Sequence, residues 1–126
     1  MNNSGRHVTA DAYLHKMPSN ALLMEACEAA IERSGMHIIA VTYKAFEPQG
    51  LTAVWILSES HFSIHTYPEH LYISIDCYTC GDEGQPDAAV HTLLDLLEAD
   101  RSHVCYHTRG MVIGQLNAST REQVPA

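Results

Sequence analysis

Basic residues are scarce in this chain: seven Lys and Arg stand against fifteen Asp and Glu, a formal net charge of −8 at pH 7. Nucleic-acid backbones are bound by clustered Lys and Arg, and these scattered cations form no such patch, which excludes a nucleic-acid partner. A net negative field mildly favours a cationic small molecule. Long apolar runs are missing too. No stretch approaches the roughly 18 residues a membrane helix needs, and the opening MNNSGRHVTADAY lacks the apolar run of a secretory signal. Without such a leader, Cys27, Cys77, Cys80 and Cys105 are expected as thiols and the compartment as the cytoplasm. No repeat or interdomain linker divides the chain, so one domain, 1–126, is expected. It is long enough to bury about two thirds of its unfolded surface.

What is present reads as alternating strands and two helices. His7–Tyr13 alternates apolar and polar as a half-buried strand does. Pro18-Ser19-Asn20 opens a helix whose mostly apolar face is Leu22, Leu23, Ala26, Ala29, Ala30 and Arg33, with Ser19 as cap and Gly35 at its end. Met36–Phe46 is strand-like, Glu47-Pro48-Gln49-Gly50 is a turn, and Leu51–Leu57 reads as a strand buried on both faces. Phe62–Thr66 and Tyr72–Thr79 are strands around a turn at Pro68-Glu69-His70. After a loop at Gly81–Gln85 come a helix over Pro86–Asp100, a last strand over His103–Arg109, and a tail from Gln115 to Ala126. Strands joined by short turns are antiparallel, so the expected fold is α+β, a two-layer sandwich of a mainly antiparallel sheet with two helices on one face. The other face is left to solvent or to a partner.

The segment SESHFSIHTYPEHLYISIDCYTC, Ser58 to Cys80, concentrates the chemistry. It holds a hydroxyl (Ser60), an imidazole five residues on (His65) and a thiol twenty residues on (Cys80). Zinc is one reading, since His61 and His65 are four apart and Cys77-Tyr-Thr-Cys80 is a C-x-x-C. On an extended chain, however, those histidines lie roughly 13 Å apart, too far to share an ion with bonds near 2 Å. An ordinary serine hydrolase is another, but no G-x-S-x-G elbow surrounds Ser60. The blandest makes Ser60 a turn residue, His65 a strand histidine and Cys80 a small core residue. With nine histidines in the chain, a histidine near a serine is cheap, and residue types alone do not choose.

Phe46-Glu-Pro-Gln-Gly50, then Ser58-Glu-Ser-His-Phe-Ser-Ile-His-Thr-Tyr-Pro-Glu69, then Asp76-Cys-Tyr-Thr-Cys-Gly81 closely resembles the small prokaryotic S-adenosylmethionine decarboxylases, pyruvoyl enzymes made as self-cleaving proenzymes. The likeness runs from about Arg6 to Gly110 and is strongest from Phe46 to Gly81. It implies that Ser60 attacks the Glu59 carbonyl, and that elimination then leaves a β chain, 1–59, and an α chain, 60–126, headed by a pyruvoyl group. His65 matches the base that removes the serine α-proton, and Thr52 stands where the family usually has an assisting serine. The pyruvoyl cofactor would bind the substrate amine as a Schiff base and accept electrons, the role pyridoxal phosphate plays elsewhere. Cys80 matches the acid that reprotonates the substrate carbon. Glu69 matches a glutamate that binds the ribose, and Phe46 an aromatic that stacks on adenine near the sulfonium.

The implied activity is decarboxylation of S-adenosylmethionine, a small-molecule substrate, to the aminopropyl donor for spermidine, by a homodimer of αβ protomers. No metal role is implied, and Cys27, Cys77 and Cys105 are read as structural thiols. Leu14-His15-Lys16 replaces a Gly-Cys-Asp-like turn usual in the family, which leaves a free amino acid such as ornithine or arginine as the alternative substrate. Phe46 and Glu69 favour the nucleoside, because a free amino acid needs neither. A non-processing regulatory partner is a further alternative, opposed by the joint presence of Ser60, His65 and Cys80.

Overall fold

A computed structural model describes residues 4–80 and 84–110. The elements are β1 (Gly5–Tyr13), α1 (Asn20–Arg33), β2 (Ile38–Ala45), β3 (Leu51–Leu57), β4 (Ser60–Tyr67), a single 3₁₀ turn (Pro68–His70), β5 (Tyr72–Thr79), α2 (Pro86–Leu96) and β6 (Arg101–Arg109). The strands form one six-stranded sheet in the order β2-β3-β4-β5-β1-β6, antiparallel throughout. This is the expected α+β two-layer architecture. The expected loop at Gly81–Gln85 lies partly, and the tail Gln115–Ala126 wholly, outside the described residues.

Strand periodicity divides the sheet into two faces. Val8, Ala10 and Ala12 of β1, Ala53 and Trp55 of β3, Phe62 and Ile64 of β4, and Ile73, Ile75 and Cys77 of β5 share one buried cluster with the helices. There α1 contributes Leu23, Cys27, Ala30 and Ile31, and α2 contributes Ala89, Val90, Leu93 and Leu94. Trp55 meets Phe62 edge-on, with ring centroids 5.9 Å apart, and its Nε1 donates to Glu28 Oε2 of α1 at 3.0 Å. That bond gives the indole N–H the partner a buried tryptophan needs.

The helices begin and end where local chemistry places them. Ser19 Oγ accepts from the Leu22 amide at 3.2 Å, satisfying one of the orphan amides at the start of α1. Gly35, at φ +89°, turns the chain out of that helix in a conformation side chains resist. Pro86 opens α2, where its missing N–H costs nothing.

Three expectations need correction. Leu51–Leu57 is not buried on both faces: Leu51, Ala53 and Trp55 are fully buried, but Ile56 is 53% exposed, because helices cover only one side. The buried stripe of α1 is Leu23, Cys27, Ala30 and Ile31, and Leu22 is 57% exposed. Ala26 and Ala29 are half-buried. Finally, α2 stops at Leu96, short of Asp100, and β6 starts earlier, at Arg101.

Truncating Leu93 to alanine should cost about 2–5 kcal/mol of unfolding free energy, the range for a filled core site, whereas Leu22→Ala should stay within about 0.5 kcal/mol. Denaturant unfolding of both variants checks the assignment of faces, and equal losses would contradict it.

Candidate active site

The β3–β4 hairpin turns through Ser58 and Glu59 alone, pairing Leu57 with Ser60. The end of β5 lies against this turn, with Thr79 opposite Ser60. Two consecutive residues there touch the two halves of the Glu59–Ser60 peptide. Ser60 Oγ donates to Thr79 Oγ1 at 2.6 Å. On the other half, the Glu59 carbonyl oxygen accepts from the Cys80 amide at 3.1 Å and from Cys80 Sγ at 2.8 Å. Two donors on one carbonyl oxygen polarise the C=O and stabilise the negative charge it gains when a nucleophile adds to carbon. The adjacent hydroxyl is that of Ser60.

The cysteines differ sharply in environment. Cys77 is buried in the core, where desolvation, with the nearby Asp76 and Asp87 charges adding to it, pushes its thiol up to about 12. Cys27, on α1, is also raised, first by burial and then by Glu28. Both behave as small core hydrophobes. Cys80 is half-buried and hydrogen-bonded to the Glu59 carbonyl. Cys105 is half-buried, with its sulfur 3.3 Å from His103 Nε2.

A second constellation sits at the far end of β4. A cleft of about 260 Å³ is lined by Phe46, Gln49, Thr52, His65 and Glu69, among others. Thr52 and His65 face each other across β3 and β4, with Oγ1 and Nδ1 3.0 Å apart. Gln49 Nε2 donates to Glu69 Oε2 at 3.0 Å, fixing the carboxylate at the cleft mouth. Phe46, which lines the cleft, is 47% exposed. It is placed by the bond from its own amide to the Gly50 carbonyl at 2.9 Å, across a turn in which Gly50 takes φ +111°.

The structure therefore brings the sequence-derived residues into two groups. Glu59, Ser60 and Cys80 are together, and Phe46, Thr52, His65 and Glu69 are together. It does not bring Ser60 and His65 together within one chain. Five residues apart on one strand, they point to opposite faces and lie roughly 16 Å apart at about 3.3 Å per residue. The residues that sequence reasoning missed are Thr79 and Gln49. A polar residue in phase with Ile73, Ile75 and Cys77 was the available sign of Thr79. Gln49, in a turn, carried none.

On the outer face, Asp76 is gripped by two histidines. His7 Nε2 lies 3.0 Å from each Asp76 oxygen, and His61 Nε2 lies 3.2 Å from Oδ1. Among the described residues no group of three or more His, Cys, Asp and Glu side chains is arranged to hold a metal ion, and no helix is long and apolar enough to cross a membrane.

The family model for S-adenosylmethionine decarboxylase matches residues 6–110. A protein of Bacillus cereus named S-adenosylmethionine decarboxylase proenzyme 2 is 44% identical over 82 residues, 65% of this chain and 67% of that one. An S-adenosylmethionine decarboxylase proenzyme of Oceanobacillus iheyensis is 36% identical over 123 residues, covering 95% of this chain and 96% of that one. The crystal structure of the adenosylmethionine decarboxylase from Aquifex aeolicus superposes with a TM-score of 0.79 at 32% identity, covering 88% of this chain and 94% of that one.

Thiol chemistry separates the cysteines. At pH 8 a maleimide should modify Cys80 in the folded protein and reach Cys27 and Cys77 only after denaturation, read by peptide mass mapping. The raised Cys77 thiol also carries a stability signature. Below its ordinary value of 9.0 both states hold the proton and pH has no effect through this group. Between about 9 and about 12 the unfolded thiol ionises while the folded one does not, so stability falls as pH rises. Replacing Cys77 by alanine should flatten that part of the stability–pH curve.

Proposed function

The chain belongs to the S-adenosylmethionine decarboxylase family, and we propose on that footing that Glu59–Ser60 is its self-cleavage site and that its two side-chain clusters divide maturation and turnover between them. It is an enzyme, a carboxy-lyase that acts on S-adenosylmethionine with a self-generated pyruvoyl group and so supplies the aminopropyl donor of spermidine synthesis. The observation that carries the assignment of the site is the Glu59 carbonyl, held by two Cys80 donors beside the Ser60 hydroxyl.

Maturation follows from those contacts. Ser60 Oγ adds to the Glu59 carbonyl carbon while the Cys80 amide and thiol carry the oxyanion. The C–N bond breaks, the hydroxyl proton passes to the Ser60 nitrogen, and an ester replaces the amide. His65 then removes the Ser60 α-proton, assisted by the Thr52 hydroxyl bonded to its other face of chemistry, the Nδ1 nitrogen. The Cβ–Oγ bond breaks, Glu59 leaves as a carboxylate that keeps Oγ, and water releases ammonia from the dehydroalanine left at position 60. A residue that starts as serine, with an activated carbonyl before it and an acid beside it, is what the pyruvoyl group requires.

Once formed, the pyruvoyl group would supply an electrophilic carbonyl for the substrate amine and a sink for the electron pair left on the α-carbon when CO2 departs. This chain's side chains do the rest. Cys80 stands within reach of position 60 and returns a proton to the substrate α-carbon. Phe46 stacks on the adenine and adds a cation–π contribution near the sulfonium. Glu69, held by Gln49, accepts from the ribose hydroxyls. A free amino acid would leave Phe46 and Glu69 without a purpose, which favours the nucleoside over ornithine or arginine.

The roughly 16 Å between Ser60 and His65 on one strand supports a homodimer of αβ protomers. In it, the His65 cleft of one protomer faces the Ser60–Cys80 end of its partner, and a single chain does not hold a complete site. Four thiols without a disulfide suit the cytoplasm.

Co-expressing His65→Ala chains with Ser60→Ala chains tests this arrangement. Neither variant alone should cleave, but the mixed dimer holds one complete site and should cleave its His65→Ala chain; no cleavage in the mixture would contradict a shared site. Cys80→Ala that matures, aided where needed by exogenous thiol, should lose at least about a hundredfold in CO2 release from S-adenosylmethionine. Full turnover would remove Cys80 as proton donor. Release from ornithine or arginine that exceeded release from S-adenosylmethionine would overturn the substrate.

A further inference from the structure

Thr79 is a polar side chain in an apolar place. It continues the core-facing series Ile73, Ile75 and Cys77 of β5 and is fully buried. Sheet register sets it opposite Ser60, and Ser60 Oγ donates to its Oγ1 at 2.6 Å. The next residue in the chain, Cys80, holds the Glu59 carbonyl. Thr79 and Cys80 thus bracket the reacting pair, one at the nucleophile and one at the electrophile.

We propose that Thr79 is a positioning residue of the self-cleavage step, whose hydroxyl sets the Ser60 side chain for attack on Glu59. This rests on the reading that Ser60 is the nucleophile. A serine has three staggered χ1 wells, and the bond to Thr79 selects one of them. By accepting the O–H hydrogen bond, Thr79 also leaves more electron density on Oγ as it closes on the carbonyl carbon. The step balances within the chain: the Oγ–C bond forms, the C–N bond to Ser60 breaks, and the hydroxyl proton ends on that nitrogen. The accepting hydroxyl sits on a fully buried residue. The threonine methyl fills the core position, and valine would fill it equally well without the hydroxyl. The requirement is therefore for Oγ1, not for volume.

Full-length precursor, freshly synthesised as wild type, Thr79→Val and Thr79→Ser, is followed by intact mass with and without hydroxylamine. Hydroxylamine cuts an ester, leaving a hydroxamate on Glu59 and an α chain that still begins with serine, so it reads ester formation apart from elimination. Thr79→Val should slow both self-cleavage and hydroxylamine cleavage about tenfold, the factor one hydrogen bond of ordinary net strength controls. Thr79→Ser should restore both to within about twofold of wild type. Three results would overturn the assignment: wild-type rates in Thr79→Val, a slow self-cleavage with an unchanged hydroxylamine rate, or a Thr79→Ser variant as slow as Thr79→Val. If Thr79→Val does not fold, Thr79→Ser decides alone, wild-type rates supporting the role of the hydroxyl and a tenfold loss removing it. A wild-type chain that never cleaves overturns the Ser60 reading itself and this assignment with it, an outcome separable from the variants' behaviour.

Discussion

The contacts around the Glu59–Ser60 peptide depend on how the end of β5 closes against the β3–β4 hairpin. A two-residue turn presents one peptide bond, Glu59–Ser60, and antiparallel pairing carries Thr79 and Cys80 up to it. Neither residue reaches that bond by side-chain length alone. Thr79 is there because it pairs with Ser60, and the Cys80 amide because the chain leaves the strand at that point and bonds back to Glu59. The core below holds the register. A slip by one residue would send Phe62, Ile64, Ile73 and Ile75 to the wrong face, and the hydrophobic cost of that fixes the geometry above.

The same two-residue period explains why Ser60 and His65 stand apart. Position 60 belongs to the core-facing set of β4, and position 65 to the outer set. One strand cannot aim both at one point, however the side chains rotate. What looks in sequence like a compact motif is two separate groups, Glu59, Ser60 and Cys80 at one end of β4 and Phe46, Thr52, His65 and Glu69 at the other. The polar outer face, with Asp76 between His7 and His61, and the exposed Ile56 belong to the side the helices leave uncovered. The homodimer proposed above would bring the two groups together.

Much of this was legible beforehand, for local reasons. The alternation in Tyr72–Thr79 is clean because the outer positions are polar, and Ser19 and Pro86 mark helix starts through their own backbone chemistry. Leu51–Leu57 misled because its outer positions include Val54 and Ile56, so burial on one face looked like burial on two. In α1, apolar residues surround the helix, and only contact with the sheet selects Leu23, Cys27, Ala30 and Ile31 over Leu22. The motif pointed to candidate site residues, yet its spacing hid their separation. The parity of five on a strand already places Ser60 and His65 on opposite faces. Thr79 was visible as a phase anomaly; Gln49, which orients Glu69 through a side-chain contact twenty residues away, was not.

The central claim is that Ser60 is consumed by its own chain. Intact mass of the purified protein after long incubation tests it directly. Two fragments of 59 and 67 residues, summing to the 126 of the chain, are predicted, the second blocked at its amino terminus by a carbonyl that borohydride reduces. A single uncut species of 14.0 kDa would contradict the account.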